Sequence, residues 1–381
     1  MDETTQVLEA AERFRRAGTR FAVATILTTE GSTYRRPGAR LLISEEGERV
    51  GTISGGCLDA EVERIAVEVL GKRRPRVVEV DHWDHDEAIW GWGLGCGGAM
   101  TLFVEPGEEA SSLEALAIPR RRRRQVALIT VVNSTVPAAA PGDHLVVEAD
   151  GSSEGSVGNA DAVRIMVEYG RRALATMGPG VVDIAVGDRR LRVFIDVPEV
   201  PVRVVVCGAG PDAGSLVRAA DKLGWDLVVV EDTDRDVVLP SEGRFVSLRR
   251  PADVSSISID QWTAVVLVTH HYLRDREYLS ALLATPAWYI GVLGPRARLE
   301  RILADLEAKD RWPTVEQRAR IYGPAGLDVG AEGPEEIAMA IVAEILSVRR
   351  GRPGSPLRDR RGPIHDRRSD VAKAPVPGST P

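Results

Sequence analysis

Apolar residues first recur at helical spacing. Val7, Leu8, Ala11 and Phe14 mark one face of an amphipathic helix over about residues 6–16. The period then shortens. Phe21 to Leu27 is a strand-like apolar run, and Arg40 to Ile43 and Arg49 to Ile53 read as strands around a Glu46-Gly47 turn. Val62, Ile65, Ala66 and Val69 share one face of a helix predicted over 58–70. Strands are predicted over 76–80 and 100–104.

The pattern then repeats. Ala127 to Val132 matches Ala22 to Leu27 at an offset of 105 residues. After a one-residue gap, Pro141-Gly142 matches Pro37-Gly38, Leu145 to Val147 matches Leu41 to Ile43, and Gly151 and Gly155 match Gly47 and Gly51. Val193 to Pro198 resembles Thr101 to Pro106. Two copies of about 100 residues read as a duplicated α/β unit, with a pseudo-two-fold as one arrangement, and not as a solenoid.

From about Val202 the architecture changes. Val202 to Val206 is a continuous apolar strand, followed by Gly208-Ala209-Gly210-Pro211-Asp212-Ala213-Gly214 and a helix over about 212–223. A second strand, Leu227 to Val230, ends at Glu231-Asp232. This is a βαβ unit with a G-x-G-x-x-A fingerprint and an acidic group near the expected place. Strands at 264–268 and 289–293 alternate with helices near 275–284 and 296–306, a doubly wound pattern. The fold class is therefore α/β. A duplicated N-terminal α/β unit (1–200, copies at about 17–106 and 125–198) precedes a Rossmann-like doubly wound parallel-sheet domain (201–350). A helix over about 334–349 closes that domain. The Pro-, Arg- and Ser-rich stretch 351–381 is expected to be disordered.

Composition narrows the class. The chain has 381 residues, 44% of them hydrophobic and 28% charged, which allows ordinary globular packing. A net charge of −7 argues against a general nucleic-acid binder. Three cysteines make no disulfide framework and suit a reducing compartment. No signal peptide or membrane-length apolar run is visible, so a cytoplasmic location is expected.

Two of the cysteines carry the candidate chemistry. Cys57 follows Ser54-Gly55-Gly56, and Cys96 lies within Gly93-Leu94-Gly95-Cys96-Gly97-Gly98. A thiol among glycines can be approached by a large ligand, and glycine lets backbone N–H groups converge on an anion. A free cysteine is more often a small core residue, but a core cysteine has no need of such neighbours. The duplication supplies a comparison. In copy two, Gly55-Gly56-Cys57 becomes Asn159-Ala160-Asp161, and the second glycine–cysteine segment has no counterpart. Packing alone would ask for similar residues in both copies.

Other polar groups are weighed beside them. Arg35, Arg36 and Arg40 surround the Pro37-Gly38 turn and could bind phosphate or carboxylate; a solvated loop is the plainer alternative. Asp81-His82-Trp83-Asp84-His85-Asp86 reads as a polar loop, with metal binding as the alternative, because it lacks the spacing of a recognised zinc site. Arg120 to Arg124 reads as a solvated linker or a docking patch. His270 is the first histidine off a buried strand at the ligand-bearing edge of a doubly wound sheet, and a ligand contact or a structural role suits it equally. Cys207 reads as core.

These motifs together resemble the XdhC/CoxI family. The resemblance rests on Gly31-Ser32-Thr33, Arg36-Pro37-Gly38-Ala39, the two glycine–cysteine segments, Gly208-Ala209-Gly210, Thr269-His270, Gly291-Val292-Leu293-Gly294, and Gly326 to Ala331 with Pro334 to Ala338. It extends from about residue 6 to 352. It departs at His271, where an acid or amide is expected more often.

The resemblance implies an accessory protein for molybdenum hydroxylases such as xanthine dehydrogenase or carbon monoxide dehydrogenase. Such a protein binds molybdenum cofactor (molybdopterin), assists its sulfuration by a cysteine desulfurase and delivers it to the apoenzyme. On that reading the cofactor-binding set is Gly55, Gly56, Cys57, Gly95, Cys96, Gly97, Gly98, Arg36 and Arg40, with Cys57 and Cys96 as candidate molybdenum ligands. Trp90 and Trp92 are candidates to stack on the pterin, or simply to pack. In the C-terminal domain, Gly208, Gly210, Gly214, Glu231, Asp232 and His270 form a candidate nucleotide or NAD(P) site. A homodimer is expected, and no catalytic residue is assigned. The alternatives are a nucleotide- or NAD(P)-dependent oxidoreductase built on the fingerprint, and a purely structural scaffold.

Overall fold

The computed structural model describes residues 3–31, 35–54, 59–81, 98–107, 111–175, 178–231, 242–308 and 312–361. The chain divides into two compact units at Val200/Pro201.

The N-terminal unit contains the same sheet twice. Helix α1 (Glu3–Ala17) precedes β1 (Phe21–Gly31), β2 (Arg40–Ser44), β3 (Arg49–Gly51), α2 (Asp59–Lys72), β4 (Arg76–Asp81) and β5 (Gly98–Pro106). Helix α3 (Ser111–Arg121) leads to β6 (Ala127–Ser134), β7 (His144–Val147), β8 (Ser153–Gly155), α4 (Ala160–Ala175), β9 (Gly180–Val186) and β10 (Arg189–Asp196). The strand orders are β3-β2-β1-β5-β4 and β8-β7-β6-β10-β9, and all pairings are antiparallel. One face of each sheet is covered by its own helix. Val62, Ile65, Ala66 and Val69 of α2 pack on Ala22, Ala24 and Ile26, while Ala162, Met166 and Ala173 of α4 pack on Ala127, Ile129 and Val131. The other strand residues need separate cover because side chains alternate across a sheet. Val23 and Leu42 pack with Val7, Ala11 and Phe14 of α1, and Leu128 packs with Leu116 of α3. Leu27 and Phe103 of one copy meet Val132 and Phe194 of the other.

Register corrects one sequence match. Thr25 pairs with Phe103, and Val23 with Glu105. Their equivalents Thr130 and Leu128 pair with Phe194 and Asp196. The counterpart of Glu105 is therefore Asp196, one position away from the match made on sequence. A one-residue slip transfers every side chain to the opposite face, so the correction changes which acids are equivalent. Helix α3 also takes in Arg120 and Arg121, the start of the Arg120 to Arg124 run read as a linker.

The C-terminal unit is α/β with a parallel sheet. Its elements are β11 (Arg203–Cys207), α5 (Pro211–Asp221), β12 (Asp226–Glu231), β13 (Arg244–Ser247), β14 (Thr263–Leu267), α6 (Tyr272–Leu282), β15 (Tyr289–Val292), α7 (Arg296–Glu307), α8 (Val315–Arg318), β16 (Ile321–Tyr322) and α9 (Pro334–Arg349). The strand order is β13-β12-β11-β14-β15-β16, and the pairings are parallel. Strands buried on both faces read as continuous apolar runs. Val204 and Val206 face α5 and α9, while Val205 and Cys207 face α6 and α7. Cys207 is a fully buried core residue. The order reverses between β11 and β14, which places the switch-point crevice beyond Cys207 and Leu267.

Candidate functional site

Gly55, Gly56, Cys57, Gly95, Cys96, Gly97 and Asp232, like Trp90, Trp92 and His82 to Asp86, lie outside the described residues. Their anchors are described. β3 and β4 run parallel to β1, since each is separated from it by one antiparallel strand. β1 ends at Gly31, where it pairs with Gly98 at the start of β5. Residues 55–58 follow β3 and residues 82–97 follow β4. The strands feeding both cysteine segments therefore point to the same end of one sheet, the end where β1 enters the arginine loop.

Within that loop Arg36 is exposed, and Arg35 is paired with Glu3 of α1. Arg40 behaves differently. It is buried, 9% exposed, and its Nη2 donates to Asp196 Oδ2 at 2.7 Å while Nη1 donates to the Gly38 carbonyl at 3.0 Å. The guanidinium of Arg40 thus joins the two copies. The spacing could not show this, because Asp196 lies on the last strand of the other copy.

A second carboxylate faces the same region. Glu105 is buried, and Ser112 Oγ donates to its Oε1 at 3.1 Å. Arg40, Glu105, Ser112, Thr25, Thr130, Leu27, Phe103 and Phe194 line a small cavity. Burial pushes the Glu105 carboxyl up to about 7, against the opposing pull of the Ser112 hydrogen bond and the Arg40 charge. Burial outweighs both, so the Glu105 carboxyl holds its proton to higher pH than an exposed one. The two turns flanking the cavity mirror each other. A Cβ on Gly38 would lie 2.9 Å from Asp196 Oδ1, and one on its equivalent Gly142 would lie 3.8 Å from Glu105 Oε2. Glycine serves both turns because φ is +92° and +97°. The acid repeated near the end of β5 and β10 was the sequence signal for this pair, hidden by the one-residue slip.

At the crevice of the C-terminal unit, Gly208, Gly210, Glu231 and His270 do come together. Gly208 has φ +112°, and a Cβ there would meet the Val268 carbonyl at 2.9 Å. A Cβ on Gly210 would meet nothing within 4 Å. Gly214 lies inside α5, where a Cβ would meet the Arg218 guanidinium at 3.2 Å. Helix α5 opens with Pro211, which has no N–H, and with Asp212 in its first turn. His270 adopts φ +55°, and its Nε2 lies 2.6 Å from Asp212 Oδ2, a bond across the crevice from β14 to α5. His271 caps α6 by accepting the Arg274 N–H, a bond of 3.4 Å. Thr269 Oγ1 donates to buried Asp275 at 2.5 Å.

Glu231 has resident partners. Its Oε2 accepts the Ala209 N–H at 3.1 Å, and its Oε1 is paired with the Arg274 guanidinium of α6. Arg274 was missed on sequence because α6 reaches this edge only through the fold.

Among the described residues no group of three or more His, Cys, Asp and Glu could hold a metal, and no helix is long and apolar enough to cross a membrane.

Comparison with known proteins covers both units. Residues 204–345 match the model of the XdhC Rossmann domain, and residues 14–81 and 120–185 match that of the XdhC and CoxI family. The chain is 28% identical to a Bacillus subtilis protein named as a probable xanthine dehydrogenase subunit, over 86% of this chain and 93% of that one. It is 22% identical to the molybdenum cofactor insertion chaperone PaoD of Escherichia coli, over 91% of this chain and 89% of that one. A crystal structure described as a xanthine dehydrogenase from Bacillus halodurans superposes with a TM-score of 0.72 at 27% identity, covering 94% of this chain and 99% of that one. With both units matched in order, the chain belongs to the XdhC and CoxI family.

Proposed function

We propose that this chain is a maturation chaperone that binds molybdenum cofactor as cargo and inserts it into a molybdenum hydroxylase of the xanthine dehydrogenase or carbon monoxide dehydrogenase type. It takes part in sulfuration of the cargo with a cysteine desulfurase, acts in the cytoplasm as a homodimer, and does not itself turn over a substrate. Relatives over nearly the whole length carry names from this chemistry, one of them a cofactor insertion chaperone.

The observation that carries the reading is the asymmetry of the duplication. The two copies share a sheet topology, yet Cys57 and Cys96 occur only in the first. The strands leading to both segments point to one end of that copy's sheet. Thiolates suit a soft, sulfur-ligated metal, and the exposed Arg36 suits the phosphate of a pterin cofactor. Cys96 has the denser glycine setting and is assigned the larger role.

The test is to purify the chain from cells that make the cofactor and measure molybdenum and pterin fluorescence. Wild type carries both. Cys96→Ala folds but loses the metal and fails to activate a client hydroxylase, and Cys57→Ala loses as much or less. If both single variants and the double variant retain cargo and activate the client like wild type, the thiols are not the ligands.

A further inference from the structure

The Rossmann architecture implies a dinucleotide at the switch-point crevice, held by loop N–H groups, the helix N-terminus and an acid at the end of the second strand. The residues present do not fit that ligand. We infer that the fingerprint of the C-terminal unit is filled by the chain itself, with Glu231 as the internal ligand of the glycine loop and Arg274 as the residue that holds it there, so that dinucleotides are excluded.

Each described element of a dinucleotide site has been used or altered. The acid at the end of β12 should meet a ribose, but Glu231 is buried and both its oxygens are engaged. The loop N–H of Ala209 is pointed at that carboxylate at 3.1 Å. The first position of α5 is Pro211, so one of the unpaired helix N–H groups that would meet a phosphate is missing. The next residue is Asp212, whose carboxylate is held over the crevice by His270 at 2.6 Å. A pyrophosphate there would meet negative charge where dinucleotide sites offer a positive helix end.

The ion pair is the stronger obstacle. The side chains of Arg274 and Glu231 are only 14% and 7% exposed. A ribose that took Glu231 would leave the Arg274 guanidinium without its carboxylate in a nearly dry site. Breaking a buried pair in this way lowers affinity on the order of a hundredfold or more. A chain that used Glu231 for ribose would leave this carboxylate open to solvent. Here α6 supplies a cation that closes it.

This inference is independent of the cofactor reading, which rests on the N-terminal unit. The test titrates the purified chain, both units included, with NAD⁺, NADP⁺ and ADP-ribose in a calorimeter. In parallel, thermal midpoints are measured for Glu231→Met, Arg274→Met and the double variant. No saturable binding is expected up to about 1 mM, the weak range left after such a loss. Each single variant should lower the midpoint of the C-terminal unit by about 5–10 °C. The double variant should lose no more than either, because no buried charge is left alone. Saturable binding below about 100 µM that Gly210→Trp abolishes would overturn the inference. So would additive losses in the double variant, which would mean that Arg274 does not hold Glu231. If a single variant fails to fold, the wild-type titration still decides.

Discussion

Replacing Glu105 by Gln probes the charge balance between the two sheets of the N-terminal unit. Glu105 shares its site with Arg40, Asp196, Ser112 and the turn at Gly142. Its carboxyl is raised from an ordinary 4.5 to about 7, chiefly by burial. Below about pH 4.5 the group is protonated in both folded and unfolded chains and costs nothing. As pH rises from about 4.5 towards 7, the folded chain keeps a proton that the unfolded chain has released, and stability falls until the folded group also ionises. A shift of about 2.5 units at 1.36 kcal/mol per unit gives a loss of about 3 kcal/mol above neutrality. Gln has nearly the same shape, can still accept from Ser112, and never ionises. The variant should match wild type near pH 4 and exceed its stability by about 3 kcal/mol near pH 8.5. Hydrogen exchange of β5 and β10 peptides measures this, because intrinsic exchange rates cancel when the two proteins are compared at one pH. Where exchange proceeds through opening of the unit, the variant should exchange roughly 300-fold more slowly at the higher pH. A difference that does not change with pH, or better protection of wild type at pH 8.5, would refute the reasoning.

Two further outcomes follow from the same contacts. Arg40→Met should destabilise the N-terminal unit by about 3–5 kcal/mol in urea unfolding by leaving buried Asp196 unpaired, and Asp196→Leu in the same chain should recover most of it; no recovery would mean that the pair is not coupled. Gly38→Ala and Gly142→Ala should each cost about 1–2 kcal/mol for the left-handed backbone. The first should cost about 1 kcal/mol more, because only its Cβ crowds a carboxylate at 2.9 Å. Equal midpoint losses would show that Asp196 moves aside freely.

Local patterning along the chain was enough to set the elements and their class. The switch from helical to strand spacing marked α1, β1, β2 and α2. The recurring Pro-Gly turns showed a duplication, and the apolar runs before and after the glycine loop showed a parallel sheet. Those features are local, because each follows from which face of an element must leave water. Register was less legible. The apolar residues of β5 and β10 tolerate a slip of one, and only the pairing of Thr25 with Phe103 and of Thr130 with Phe194 fixed it. The roles of charged residues were the least legible. Arg40 and Glu231 both looked like ligand contacts from their motifs. Tertiary structure gave each a partner distant in the chain, Asp196 for one and Arg274 for the other. A charge at a strand end beside a glycine-rich loop reads the same whether it awaits a ligand or is already paired. What decides is the low-dielectric space around it, where an ion must find an opposite charge, and that space exists only once distant segments have packed together.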